Sequence, residues 1–266
     1  MSLLKDICPE LRSGTKASDP SQVDQKISRR TASEKLSEAV DITDSLMKDR
    51  FSCRYFLPKP VPKGLVEEII DAARYAPSGN NMQPWEKVYC ISGDVLKAVS
   101  TEMVQAHIKC PETYKAQYDY YPTNPLPEEY AIRRHDFGKR YYGSLNVGYN
   151  DSAGRAAASI RQYEFFGAPA VFVFTINQAL TQGSWMDVGY FLQSMTIAAR
   201  ARGLETTSHV STAKFQLILR KHLPIKDTEV VALGMSMGYP DLEKVAQYYA
   251  RQPKREVADI IEFHGL

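Results

Sequence analysis

Arg50-Phe51-Ser52-Cys53-Arg54 carries a polar group at every second position. On a strand, Arg50, Ser52 and Arg54 share one face. On a helix, Arg50 and Arg54 are again neighbours. Two guanidinium groups and a hydroxyl on one face could cradle a phosphate, with Phe51, Cys53 and Tyr55 turned to the core. A solvated edge strand with chance arginines explains the same residues equally well. A second cluster, Ala76-Pro77-Ser78-Gly79-Asn80-Asn81-Met82-Gln83-Pro84-Trp85, is a rigid turn with three amide side chains and an indole. Amides both donate and accept, as a planar heterocycle with alternating ring nitrogens and carbonyls requires. A plain helix-to-strand connection with Trp85 in the core is the simpler account of it. A third, Arg251-Gln252-Pro253-Lys254-Arg255, either adds charge to a phosphate site or is a solvated basic tail.

Other chemistries find little support. No two glycines stand two residues apart, so the G-x-G-x-x-G dinucleotide fingerprint is absent, as is a G-x-x-x-x-G-K-[ST] phosphate loop. The five histidines form no H-x-x-x-H pair, and no metal site is expected. Gly234-Met235-Ser236-Met237-Gly238 matches G-x-S-x-G after an expected strand, which raises serine hydrolysis as an outside alternative. Against it, the acid and histidine should follow the serine, and only 28 residues remain after Gly238.

These clusters need elements to hold them. Helical spacing predicts a short helix over 41–48, a helix carrying Leu65, Ile69, Ala72, Ala73 and Ala76, and an amphipathic helix over 94–109. Further helices are expected over 155–165, 184–202, 215–222 and 241–250, and strands over 86–92, 171–175 and 229–235. Residues 110–150 hold several tyrosines and prolines and read as a surface excursion with some helix over 128–140. Residues 1–40 are polar and read as a flexible N-terminal arm. The expected architecture is α+β, with one domain over 41–266 and a small sheet among many helices.

The 266 residues, 44% hydrophobic and 24% charged, suit a globular chain with a substantial core. A net charge of +2 gives no global reason to bind nucleic acid or an acidic membrane. Four cysteines without a C-x-x-C pair read as free thiols, and no apolar run approaches the ~20 residues of a bilayer span. A cytoplasmic protein is the expectation.

Taken in order, Arg50-x-Ser52-x-Arg54, Pro60-Val61-Pro62, Ala76-Pro77-Ser78-Gly79-x-Asn81-x-Gln83-Pro84-Trp85, Gly167-Ala168-Pro169-Ala170, Asp187-Val188-Gly189, Gly203-Leu204, Gly238-Tyr239-Pro240 and Arg251-x-Pro253 form a pattern. Over roughly residues 41–257 it resembles the flavin-dependent nitroreductase family. The resemblance implies an intertwined homodimer with FMN at the subunit interface, around a small, mostly antiparallel sheet. It implies cofactor contacts from Arg50, Phe51, Ser52, Arg54, Asn81, Gln83, Ser208, His209, Val210, Ser211 and Arg251. Arg50, Ser52 and Arg251 would hold the phosphate, and Arg54 would lie near the ribityl chain or pyrimidine edge. Asn81 would reach the isoalloxazine from the other subunit, and residues 208–211 would pass the reactive nitrogen. Ser208-His209-Val210-Ser211 departs from the Pro- and Gly-containing pattern of many relatives, and Tyr249 stands where they often carry a basic residue. The activity implied is ping-pong reduction of nitroaromatic compounds to hydroxylamines with NAD(P)H. Quinone or flavin reduction, or flavin binding without turnover, are the alternatives. Tyr120 and Tyr121, in the tyrosine-rich excursion, are candidate substrate contacts from a lid; packing in the dimer explains that stretch equally well.

Overall fold

The computed structural model describes residues 32–122, 125–148 and 150–266. The expected arm falls outside it as far as residue 31. From Ala32 the chain is helical to Lys48 (α1), so this helix begins well before the expected start at Asp41. Lys48 and Asp44 pair one turn apart at 2.6 Å on its exposed surface. This helix belongs to a first compact unit that ends at Arg50, and the rest of the chain forms a second.

In the second unit a four-stranded antiparallel sheet runs in the order β1-β2-β4-β3. Its strands are β1 (Lys87–Ser92), β2 (Ala170–Asn177), β3 (Glu205–His209) and β4 (Glu229–Gly238). The central β2 is buried on both faces, which is why it reads as an unbroken apolar run. Its alternate residues serve two cores. Val171 and Val173 pack with Val99, Met103, Phe215 and Leu219, on helices α2 (Gly93–Lys109) and α3 (Gln216–His222) and the turn before the latter. Ala170, Phe172, Phe174 and Ile176 pack with Ile69, Val188, Phe191 and Met195, on helices α4 (Lys63–Ala73) and α5 (Gln182–Arg200). The sheet is thus sandwiched between helical layers.

One irregularity sets what each layer contains. Phe174 pairs with Leu233 but Thr175 pairs with Val231, so Ala232 is an extra residue, a β-bulge. Val231 therefore faces the α2–α3 layer, while Leu233, Met235 and Met237 face the other. Without the bulge these odd-numbered residues would share one side. Gly234 and Ser236 consequently face the α2–α3 layer. A Cβ on Gly234 would stand 2.6 Å from Thr212 Oγ1. Gly234→Ala is expected to destabilise the protein by about 1–3 kcal/mol, measured by denaturant unfolding; an unchanged midpoint would show that Thr212 yields freely.

The free edge of β3 is capped by an extended segment. Ser52 bridges Thr206 in parallel, and the Cys53 N–H donates to the Thr206 carbonyl at 3.0 Å. Of the expected cysteines, Cys53 is fully buried, and burial pushes its thiol up to about 12. β3 was not expected from the sequence. Glu205-Thr206-Thr207-Ser208-His209 has no apolar stripe, and its burial is satisfied by polar pairing: Glu205 with Arg200, and Thr206 with Thr196. The other helices and strands lie within a few residues of expectation, except that the helix expected over 155–165 runs over Ser152–Ile160.

Candidate functional site

The segment 52–54, the end of β3 and the tyrosine-rich excursion converge on one cavity of about 400 Å³. Arg54 reaches it from the extended segment, and Ser208, His209, Val210 and Ser211 from the end of β3 and the turn after it. Tyr120, Tyr121, Phe137, Tyr141 and Tyr142 come from the excursion, the last three on helix α6 (Glu128–Ser144). Ala158, Ser159, Gln162, Phe166 and Thr207 complete the wall. The Arg54 guanidinium lies 4.9 Å from the Tyr141 ring centre and 5.9 Å from that of Phe166. Its backbone is fixed from behind: Arg161 Nη2 donates to the Arg54 carbonyl at 2.7 Å and Arg161 Nη1 to the Tyr55 hydroxyl at 3.0 Å. Burial lowers the Arg54 pKa, and the nearby Arg161 charge acts in the same sense; a guanidinium stays charged at neutral pH regardless.

His209 is held on both ring nitrogens. The Ser236 hydroxyl donates its one proton to the Phe165 carbonyl at 3.0 Å. His209 Nε2, 3.0 Å from Ser236 Oγ, must therefore carry a proton and donate, leaving Nδ1 to accept from Thr212 Oγ1 at 2.7 Å. Burial holds this imidazole down to a pKa of about 3, and the Arg54 charge opposes its protonation further. His209 is thus a neutral strut. It also packs against the Phe165 and Phe166 rings at 5.5 and 6.0 Å. That contact explains a strained turn: Phe165 and Phe166 sit at φ of 51° and 57°, followed by Gly167 at 74°. Two non-glycine residues in the left-handed region persist only where their surroundings impose it. Here the serine holds the Phe165 carbonyl, the histidine backs both rings, and Phe166 is presented to the cavity.

This geometry replaces the hydrolase alternative. Ser236 lies inside β4, opposite Val171 and Thr207, and is fully buried. No strand-to-helix elbow exists at this serine, its proton is committed to a carbonyl, and the histidine beside it leans on a threonine.

The excursion is anchored over the cavity. Tyr118 donates to the carbonyl of Ala232, the bulge residue, and its ring lies 4.5 Å from Trp185. Tyr120 then stacks edge-on between Tyr118 and Tyr121.

Asn81 and Gln83 do not line this cavity in their own chain. They are exposed, on a short turn in which Asn80, Asn81 and Gln83 all have positive φ, of 52°, 55° and 49°. Ser78 Oγ accepts from the Gln83 N–H at 3.0 Å, and the Asp187 carboxylate from the Gly79 N–H at 3.1 Å. Trp85 stacks on Phe191 at 4.7 Å, the core role weighed for it. Phe51 and Ser52 sit just behind Arg54 in the same segment, Phe51 against Tyr249 at 5.1 Å. That contact brings the chain leading to the exposed Arg251 alongside residue 51. Arg50 closes the first unit. Among the described residues no group of His, Cys, Asp and Glu could hold a metal ion.

A family model described as the nitroreductase family matches residues 47–239. The chain belongs to the nitroreductase family. The 4-nitrobenzoate reductase of Pseudomonas putida is 36% identical over 226 residues, 85% of this chain and 97% of that protein. The nitrobenzene nitroreductase of Ectopseudomonas oleovorans is 36% identical over 74% of this chain and 86% of its own. A solved structure, the FMN and NADPH-dependent nitroreductase NfnB from Sphigopyxis sp. strain HMH, superposes with a TM-score of 0.79 at 27% identity. It covers 84% of this chain and 99% of its own. The nitroreductase fold is therefore established, and every described residue that lines the cavity lies within the matched region. Residues the sequence reading missed are Gln162, Phe166 and the left-handed turn at 165–167. The adjacent Gly167 was the only signal for that turn, since phenylalanine gives no sequence indication of positive φ.

Proposed function

We propose that this nitroreductase-family chain is an FMN-dependent oxidoreductase that reduces nitroaromatic compounds with NAD(P)H. The observation that carries it is the wall of the 400 Å³ cavity: one guanidinium, a run of hydroxyls and backbone at 208–211, and the flat faces of Tyr141 and Phe166. Such a donor set fits an isoalloxazine, which is apolar on its faces and polar along its pyrimidine edge. FMN, when bound, supplies the hydride chemistry. Arg54 would hold the negative charge that reduction leaves near the pyrimidine edge. Residues 208–211 would offer backbone contacts, kept in place by the His209 strut. Arg50, Ser52 and Arg251 would take the phosphate. Asn81 and Gln83, exposed on a strained turn, would serve the site of a second copy, which makes the working form a homodimer. Tyr120 and Tyr121 would contact the aromatic acceptor. Among the described residues no helix is long and apolar enough to cross a membrane, and we place the protein in the cytoplasm.

The test is the visible spectrum of the purified protein, before and after anaerobic NADPH and then nitrobenzene. A flavin spectrum that bleaches with NADPH and returns with nitrobenzene is expected. A protein that stays colourless after incubation with FMN would overturn the reading.

A further inference from the structure

A second cavity, of about 600 Å³, lies along helix α6. Arg134, His135, Lys139 and Tyr142 line it from α6, with a step of four from His135 to Lys139 and of three from Lys139 to Tyr142. Arg155 faces them from helix α7 (Ser152–Ile160), 5.9 Å from the Tyr142 ring centre. No Asp or Glu is among its described lining residues. In a chain whose charges nearly balance, at +2 overall, three permanent cations in the described lining of one cavity are a local concentration of charge. The acidic residues of α6, Glu128, Glu129 and Asp136, lie off that wall; Glu129 is paired with Arg133. Gly138 lines the same face, and a Cβ there would meet nothing within 4 Å. A mid-helix glycine weakens a helix relative to alanine, and this one leaves the cavity wall free of a side chain.

Tyr142 lines both cavities, so the two abut. A ligand whose flat ring enters the first cavity near Tyr142 can therefore place an anionic portion among Arg134, Lys139 and Arg155. We propose that the second cavity receives the phosphate groups of the nicotinamide dinucleotide while its ring lies against the flavin of the first. This rests on the function proposed above and adds to it where the reductant is held. One benzoate carboxylate needs a single bidentate partner, whereas three cations on two helices match a ligand with several phosphate oxygens.

The test uses the full-length protein with Arg134→Gln and Lys139→Gln combined, and Arg133→Ala as a control on the same helix outside the cavity. Calorimetry with adenosine 2′,5′-bisphosphate reads the cavity without turnover. KM values for NADPH, nitrobenzene and 4-nitrobenzoate read it in the working enzyme. The expected result is about tenfold weaker binding of the bisphosphate and a matching rise in KM for NADPH, with flavin content and both acceptor KM values unchanged and the control like wild type. A rise confined to 4-nitrobenzoate would reassign the cavity to an acceptor carboxylate and overturn the proposal. Loss of flavin in the double variant, or no change in any quantity, would also overturn it. A wild-type protein without flavin or NADPH oxidation would instead count against the parent function, and bisphosphate binding would still decide the cavity.

Discussion

Lowering the pH from 7 to 4 is expected to cost this protein about 3 kcal/mol of stability through His209 alone. The folded-state pKa, about 3, lies below the usual 6.5. Between these values the unfolded chain binds a proton that the native state refuses, so stability is full above the unfolded pKa and falls as pH falls toward the folded one. The physical cause is visible: a second proton on the ring would sit on Nδ1, which already accepts from Thr212, in a buried site facing the Arg54 charge. His107, whose pKa burial also lowers, contributes in the same direction. The comparison must therefore be made within a pair of proteins. His209→Gln keeps a donor for Ser236 and cannot titrate. Denaturant unfolding at both pH values should show a clearly smaller acid loss for the variant than for wild type. Equal losses would mean that His209 is not a neutral strut.

Arg54→Ala should reduce FMN affinity by roughly ten- to a hundredfold, since a charge-assisted contact is worth about 1.5–3 kcal/mol. The guanidinium is already ordered by its stacking on Tyr141 and by the Arg161 clamp on its backbone, so little ordering cost offsets the contact. Fluorescence titration of the protein stripped of flavin measures this directly. The fold should survive, because the side chain lines the cavity instead of the core, and thermal unfolding checks that. Full flavin retention would remove Arg54 from the cofactor site.

Much of the frame was legible from residue spacing. The apolar run of β2 and the helical period of Leu65, Ile69 and Ala73 dictate elements that the sheet and its layers then use. The ordered Arg-x-Ser-x-Arg and Pro-Ser-Gly-x-Asn motifs pointed to the family before any geometry. Two things were not legible. β3 hides because its burial is satisfied by ion pairs and hydroxyls, which leave no hydrophobic period. The His209–Ser236 contact joins residues 27 apart, and it arises only because antiparallel pairing sets Thr207 against Ser236. A motif search sees that serine within G-x-S-x-G and suggests a nucleophile; only the register shows a structural hydroxyl.

The bulge at Ala232 makes that register a matter of counting. Removing Ala232 alone would leave Val231 opposite Thr175, Leu233 opposite Phe174 and Gly234 opposite Val173, so both layers keep their side chains, and Tyr118 alone would lose its carbonyl. Where β4 is paired residue for residue, by contrast, an insertion or deletion would move the side chains beyond it to the other half of the molecule. The bulge is therefore the one place where β4 can change length and keep its two faces, and what it supports there is the tyrosine-rich excursion over the cavity.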